Sequence, residues 1–243
     1  MRPPDRAFAD PRLAALYDVL DDDRSDLDAY LAITEELSAR RVVDIGCGTG
    51  SLAVRLAALS RTVVGVDPAG ASLEVAWAKP FADHVTWVHG AATAAEIRSS
   101  NADLALMTGN VAQVFVSDDD WHRTLSAVHE CLRPGGWFVF ETRRPWARDW
   151  EGWEVEPTKV DLADGTSVVV SRTVTQVALP LVTFQSRTTV GGEVICSTST
   201  LRFRERAEVE HDLDEHRFRV VDVRDAPDRP GKELVFLARG IED

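Results

Sequence analysis

The sequence predicts a doubly wound α/β fold, and three observations support this prediction. Between residues 41 and 142, five short apolar segments alternate with stretches of helical character. The segments are continuous in apolar residues rather than alternating, which is typical of parallel strands that helices cover on both faces. The first segment, Arg41–Ile45, runs directly into a glycine-rich turn, Gly46–Gly50. We therefore expect a mostly parallel, Rossmann-like sheet.

Two helices are expected before the first strand, in a cap formed by residues 1–40. Apolar side chains recur in each helix at three- and four-residue spacing, which indicates one buried face. These side chains are Leu13, Leu16, Tyr17 and Leu20 in the first helix and Leu27, Leu31 and Leu37 in the second. Ser25 is expected to cap the second helix, and residues 1–10 are expected to be loose. The acidic run at residues 21–23 is interpreted as a solvated helix end rather than a metal site.

The strands and helices of the central region follow from the same patterns. The predicted strands are Arg41–Ile45, Thr62–Asp67, Val85–His89, Ala102–Met107 and Trp137–Thr142. The predicted helices between them are residues 51–59, 70–79, 93–98 and 119–132. Asp118–Asp120 are expected to cap the last of these helices, and Arg133–Gly136 are expected to end it and turn the chain into the fifth strand.

The pattern changes after residue 142. Three segments there are rich in Val, Thr and alternating polar residues, and Asp-Gly, Pro and Gly-Gly turn signals separate them. The segments are Thr166–Ala178, Leu181–Val190 and Glu193–Arg204. They predict an antiparallel β insert at about residues 150–205. A helix at Arg206–His216 and strands at Phe218–Val223 and Lys232–Ala238 would then complete a seven-stranded sheet, so that residues 1–243 form one domain.

Composition narrows the classes of function. The chain has 27 Lys and Arg against 40 Asp and Glu, a net charge of −13, which disfavours binding to nucleic acids and to anionic membranes. The three cysteines, Cys47, Cys131 and Cys196, form no CxxC pair, so neither a disulfide framework nor a zinc site is predicted. No apolar run reaches membrane-spanning length. We expect a cytoplasmic protein without a metal.

The glycine-rich turn is a candidate ligand site. Glycines at alternate positions let a ligand approach the backbone at the carboxyl edge of the sheet. Asp67 ends the second strand, 17 residues after Gly50, where a carboxylate can accept hydrogen bonds from a ribose diol. A dinucleotide fingerprint needs glycine at the sixth position from Gly46, where this sequence has Ser51. Asp44 would repel a pyrophosphate but suits an ammonium or sulfonium group.

These residues resemble a known family. Val-Asp-Ile-Gly-Cys-Gly-Thr-Gly at residues 43–50 resembles motif I of the class I S-adenosylmethionine (SAM) dependent methyltransferases. The segments 63–67, 102–107 and 132–138 resemble the second strand, the fourth strand and the turn into the fifth strand of the same family. The resemblance covers residues 41–142. It implies a methyltransferase whose cofactor is SAM.

The resemblance also implies which residues contact the cofactor. The glycine turn would pack against the methionine portion, with Asp44 near the ammonium group, Asp67 at the ribose and Pro68 beside the adenine. Relatives often have an acidic residue after the third strand, where this sequence has alanine, so backbone groups would serve there. The complete predicted set is Asp44, Gly46, Cys47, Gly48, Gly50, Asp67, Pro68, Ala91, Ala92, Thr108, Gly109 and Asn110.

The acceptor site is less explicit in the sequence. We expect its side chains to come from the cap, from the loop after the fourth strand and from the start of the insert. The candidates are Tyr17, Tyr30, Gln113, Arg143 and Trp146. Trp150 and Trp153 could line a pocket or anchor the insert. No histidine is assigned as a general base.

We expect a small-molecule acceptor and leave open whether its nucleophile is nitrogen, oxygen or carbon. The exposed edges of the insert could also mediate a homodimer. Two other functions stay open at this point. One is a SAM-binding or interaction protein without catalytic activity, and the other is an NAD-dependent oxidoreductase, which Ser51 disfavours.

Overall fold

The computed structural model describes residues 2–241 and confirms the doubly wound α/β fold. Its strands are β1 (Arg41–Ile45), β2 (Thr62–Asp67), β3 (Val85–His89), β4 (Ala102–Met107), β5 (Leu132–Arg143), β6 (Val155–Asp161), β7 (Ser167–Ala178), β8 (Leu181–Val190), β9 (Glu193–Arg202), β10 (Phe218–Asp225) and β11 (Glu233–Gly240). A seven-stranded sheet has the order β10-β11-β5-β4-β1-β2-β3, and β6 to β9 form a four-stranded sheet. β11 runs antiparallel to both neighbours, whereas β1 to β5 pair in parallel.

The helices differ from the predictions mainly near the N-terminus. They are α1 (Arg6–Ala9), α2 (Pro11–Leu20), α3 (Asp28–Glu36), α4 (Ser51–Ala58), α5 (Gly70–Trp77), α6 (Ala95–Arg98), α7 (Asp118–Cys131) and α8 (Arg206–Glu215). Residues 6–9 are helical rather than loose. Ser25 lies in a 3₁₀ turn and is not the cap of α3, which begins at Asp28 with no side-chain cap hydrogen bond.

Two further predictions about element ends are wrong. Ser117, rather than the aspartates at residues 118–120, is the N-cap of α7, and its side chain accepts a hydrogen bond from the backbone N–H of Asp120 at 3.2 Å. The aspartates lie in the first turn, where the helix dipole favours negative charge. β5 begins at Leu132, five residues before the predicted Trp137, because Leu132 pairs with Ala102 of β4.

The sheet buries apolar side chains on both faces, as the continuous apolar strands require. Phe138 and Phe140 of β5 point to one face, where their rings stack at 4.6 Å, and Val139 between them belongs to the cluster on the other face. Alternate residues of a strand point to opposite faces, so both faces need a cover. Helices provide that cover.

The four-stranded sheet confirms the antiparallel insert and adds β6, which the sequence analysis missed. Trp150 contacts Phe203 edge-to-face at 4.8 Å between ring centres, and Trp153 contacts Phe184 at 5.3 Å. Both tryptophans therefore pack in the base of the insert. The cap also contacts the insert, because the backbone N–H of Ala7 donates to Ser197 Oγ of β9 at 2.8 Å. Across residues 2–241, no helix is long and apolar enough to cross a membrane.

Candidate ligand site at the carboxyl edge of the sheet

A cavity of about 210 Å³ lies at the carboxyl ends of β1, β2 and β4. Its floor is the glycine turn after β1, and its walls are the ends of β2 and β4. The N-terminal segment contributes Arg2 to Asp5 and Phe8 to the lining, so the cap covers this edge of the sheet. The cavity is therefore at the place where open α/β sheets bind ligands.

The three positions of the turn require glycine for different structural reasons. All adopt positive φ, +71° at Gly46, +53° at Gly48 and +77° at Gly50, a region that side chains disfavour. A Cβ at Gly50 would lie 2.6 Å from Cη2 of Trp87, so this position needs glycine for packing. A Cβ at Gly48 would meet no atom within 4 Å. Gly48 leaves open space in the cavity that a ligand can fill.

Asp67 is held in place by the backbone around it. Its Oδ2 accepts from the N–H of Gly48 at 2.9 Å, and its Oδ1 accepts from the N–H of Ala69 at 2.7 Å. Burial raises the pKa of Asp67, and the two N–H groups partly offset this rise. Because each carboxylate oxygen can accept more than one hydrogen bond, Asp67 can still bind hydroxyl groups.

Asp44 has a buried oxygen without a partner. The residue is 2% exposed, and among residues 2–241 no group donates a hydrogen bond to its Oδ2. Burial, followed by repulsion from Asp67, raises the pKa of Asp44 to about 7, and Arg24 opposes the rise. Arg24 itself pairs with Asp26 at 3.2 Å. A buried carboxylate without a partner is costly, so this arrangement favours a cationic ligand.

The cap is tied to the glycine turn through Asp18 of α2. Its Oδ1 accepts from Thr49 Oγ1 at 2.7 Å, and its Oδ2 forms an ion pair with Lys79 Nζ at 2.6 Å. Burial acts to raise the pKa of Asp18, but the hydrogen bonds from Lys79 and Thr49 lower it overall. Sequence reasoning missed Asp18, because one acidic residue close to the acidic run at residues 21–23 gives no signal of its partners.

The structure brings most of the predicted ligand-contacting residues together. The predicted residues that line the cavity are Tyr17, Asp44, Gly46, Cys47, Gly48, Asp67, Pro68, Ala91, Ala92, Thr108 and Gly109. Burial raises the pKa of Cys47 well above its ordinary value, which disfavours the thiolate form that a nucleophilic cysteine needs. The lining also contains Phe8 and Arg24, which the sequence analysis did not assign, and four apolar residues of the loop after β4: Val111, Val114, Phe115 and Val116.

The other predicted residues are not among the lining residues. They are Gly50, Asn110, Tyr30, Gln113, Arg143 and Trp146. Tyr30 and Asn110 contact Glu141, and Arg143 donates to Gln113 Oε1 at 2.9 Å. Trp146 is 68% exposed. Their roles in acceptor or cofactor binding stay predictions.

Comparison with known proteins agrees with the site. Residues 42–136 match the sequence model of a family described as "Methyltransferase domain". The match spans the glycine turn and both carboxylates of the cavity, Asp44 and Asp67. A protein of Geobacillus sp. strain WCH70 that is named as a methyltransferase is 31% identical over 112 residues, 46% of this chain and 45% of that protein. This match spans less than half of the length of that relative.

Solved structures share the fold over more of the chain. A SAM-dependent methyltransferase of Clostridium acetobutylicum superposes with a TM-score of 0.77 at 17% identity, covering 95% of this chain and 98% of that one. A sugar N-methyltransferase of Streptoalloteichus sp. superposes with a TM-score of 0.74 at 15% identity, covering 93% of each chain. At these identities the comparison establishes the fold, including the insert and the cap.

Proposed function

We propose that this chain is a SAM-dependent methyltransferase that acts on a small-molecule acceptor. The observation that carries the proposal is the buried, partly unpartnered carboxylate of Asp44 beside the glycine turn, with the carboxylate of Asp67 at the end of the next strand. SAM presents an ammonium group and a ribose diol, which match these two carboxylates in charge and in hydrogen bonding. The match of residues 42–136 to the methyltransferase family model supports the same conclusion.

The lining residues divide into groups that suit the parts of SAM. Asp44 would hold the ammonium group, Asp67 the ribose hydroxyls, and Pro68 the edge of the adenine. Thr108 and Gly109, at the end of β4, would lie beside the reacting centre. Gly109 has φ +67° and open space where a Cβ would be, so a ligand can approach its backbone closely.

Bound SAM supplies a methyl group on a positively charged sulfur, which an acceptor nucleophile displaces in line. The task of the protein is then to align the two reactants and to exclude water. The cap contributes to the alignment and to the exclusion of water. Arg2 to Asp5 and Phe8 lie over the cavity, and Asp18 fixes α2 on the glycine turn. The domain needs no nucleophile of its own for this reaction.

A nitrogen acceptor requires the fewest catalytic groups from the lining. Of residues 2–241, no histidine and no lysine lies in the cavity lining, and its ionisable side chains are aspartates, arginines, Tyr17 and Cys47. A neutral amine carries its own lone pair and can react without a dedicated general base. The structurally similar sugar N-methyltransferase of Streptoalloteichus supports this choice. The proposal keeps two further expectations. The free edges of the insert mediate a homodimer. The net charge of −13 disfavours binding to nucleic acids.

Equilibrium titration with S-adenosylhomocysteine (SAH), the demethylated product, tests the cofactor assignment. We expect saturable binding of SAH and no binding of NADH under the same conditions. Binding of NADH in preference to SAH would support an oxidoreductase and contradict the proposal. Incubation with methyl-labelled SAM and a panel of small amines, phenols and carbon acids then tests the acceptor class, with transfer to amines as the expected result.

A further inference from the structure

A buried polar network lies behind the loop that follows β4, outside the cavity lining. Its centre is Glu141, near the end of β5, and Glu233 begins the neighbouring strand β11. The two glutamates are 6% and 1% exposed. The network joins Tyr30 of the cap, Asn110 of the loop and Arg143 at the end of β5. It therefore connects parts of the chain that are distant in sequence.

Both carboxyl oxygens of Glu141 are used within the protein. Oε1 accepts from the backbone N–H of Asn110 at 2.9 Å, and the Tyr30 hydroxyl donates to Oε2. The side-chain amide of Asn110 donates to Glu233 Oε1 at 3.0 Å. Glu141 thus holds the backbone of Asn110, while Glu233 holds its side chain.

Asn110 is in a conformation that needs support. Its φ is +60°, in the left-handed region, which is uncommon for residues other than glycine even though asparagine tolerates it. The hydrogen bonds from Asn110 to the two glutamates stabilise this conformation. A change at Glu141 is therefore expected to alter the path of the loop rather than the fold of the sheet.

The neighbours of Asn110 on both sides form a wall of the cavity. Thr108 and Gly109 precede it, and Val111 follows it, and all three line the cavity. The methyl groups of Val111 lie 2.7 Å from the position that a Cβ on Gly46 would occupy, so the loop packs directly on the glycine turn. Any shift of Asn110 would move this wall relative to the ligand.

We propose that Glu141 is a positioning residue, which fixes the wall at residues 108–111 through Asn110 and fixes helix α3 of the cap through Tyr30. This inference rests on the proposed function, because it gives the wall a ligand to face. Glu141 does not line the cavity itself. Its effect on the ligand is therefore exerted through the loop and the cap together.

The raised pKa of Glu141 favours Glu141→Gln as a variant that keeps the hydrogen bonds of the network. Burial raises its pKa to about 8, repulsion from Glu233 and Asp228 adds to the rise, and the Asn110 N–H and Arg143 oppose it. A carboxyl group with this pKa is mostly protonated at pH 7, and its Oε2–H then donates to the Tyr30 oxygen instead of accepting from the Tyr30 hydroxyl. A glutamine can reproduce this arrangement. The amide oxygen of Glu141→Gln can accept from Asn110, and its amide nitrogen can donate to the Tyr30 oxygen. Glu141→Leu keeps a similar volume and removes both hydrogen bonds.

Amide hydrogen exchange of the ligand-free protein, combined with SAH titration, tests the proposal at pH 7. We expect Glu141→Leu to increase exchange in residues 108–111 and in α3, and to weaken SAH binding about tenfold through displacement of the wall. Glu141→Gln should restore both properties. The matched control is Thr142→Val, which changes the next side chain of β5, outside the network, and should match the wild-type protein in both measurements.

Each outcome has a defined meaning. Local exchange and SAH affinity that are unchanged in Glu141→Leu would overturn the inference, as would a loss that glutamine does not rescue. Increased exchange spread over the whole sheet would also overturn it, because it would show a general stabilising role. If the wild-type protein does not bind SAH, the proposed function fails, but the exchange of the ligand-free variants still decides whether Glu141 fixes the loop and α3.

Discussion

Two buried carboxyl groups at the same edge of the sheet, Asp44 and Glu141, have opposite relations to the cavity. Burial is the largest cause of the raised pKa in both, to about 7 in Asp44 and to about 8 in Glu141. Asp44 lines the cavity and has an oxygen without a partner within the described chain. Glu141 lies behind the cavity wall with both oxygens bonded. Burial alone therefore does not identify a ligand site, whereas an unpartnered oxygen facing a cavity does.

The first prediction separates the two carboxyl groups by ligand affinity. Asp44→Asn should weaken SAH binding about 10- to 100-fold, because it removes a charge-assisted hydrogen bond to the ammonium group. Isothermal titration at pH 8 measures this effect. The control is Asp103→Asn, which breaks ion pairs with Arg41 and Arg133 outside the cavity and should leave the affinity unchanged.

Asp67 provides an intermediate case, because it lines the cavity and is also bonded by the backbone. Asp67→Asn should weaken SAH binding about tenfold and should also lower the melting temperature. The reason for the lower stability is that an amide group cannot accept from both Gly48 and Ala69. A variant that lost affinity with an unchanged melting temperature would show that these N–H contacts contribute little.

The pH dependence of affinity sharpens the comparison further. Protons compete with the ligand for Asp44, whose pKa in the free protein is about 7. SAH affinity should therefore fall by up to about tenfold for each pH unit below 7, and it should level off above 7. Titrations between pH 5.5 and 8.5 check this, and Asp44→Asn should remove most of the slope.

The smallest predicted effect is on the thermal stability of the ligand-free protein. A carboxyl group whose pKa is raised on folding contributes stability below its unfolded pKa, and this contribution is lost as the pH rises through the folded value. For Glu141 the loss falls between about pH 4.5 and 8. Glu141→Gln should lessen the decline of the melting temperature over this range.

Asp44→Asn, without ligand, should melt about 2–4 °C higher than the wild-type protein at pH 8, because it removes a buried charge. Differential scanning calorimetry measures this change and the change expected for Glu141→Gln. A lower melting temperature for ligand-free Asp44→Asn would show that its charge is compensated within the protein.

Most residues that the sequence predicts for cofactor binding line the cavity, whereas of those predicted for the acceptor only Tyr17 does, and this difference has a physical reason. Asp44 and Asp67 lie at the ends of adjacent parallel strands, so a local pattern and one topological rule place them together. Tyr30 and Glu141 are 111 residues apart, and their contact depends on how the cap packs on the sheet. The spacing of residues in the sequence does not indicate how the cap packs. The sequence therefore predicts an acceptor-binding role for Tyr30.

The prediction of secondary-structure elements is limited in the same way. β6 (Val155–Asp161) was missed because it is a polar edge strand that contains Pro157, and most of its residues are exposed. Without a buried face, such a strand has no alternation of apolar and polar residues to detect. The inner strands β1, β2 and β4 have the predicted bounds, because their burial between helices requires mostly apolar residues. The edge strand β3 also has the predicted bounds.

The most direct test of the account is the titration of SAH into the wild-type protein and Asp44→Asn at pH 6 and pH 8. We predict tight binding to the wild-type protein at pH 8, weaker binding at pH 6, and weak binding to Asp44→Asn at both values. The absence of SAH binding to the wild-type protein at high micromolar concentration, or an affinity that Asp44→Asn does not change, would contradict the assignment of this cavity to SAM.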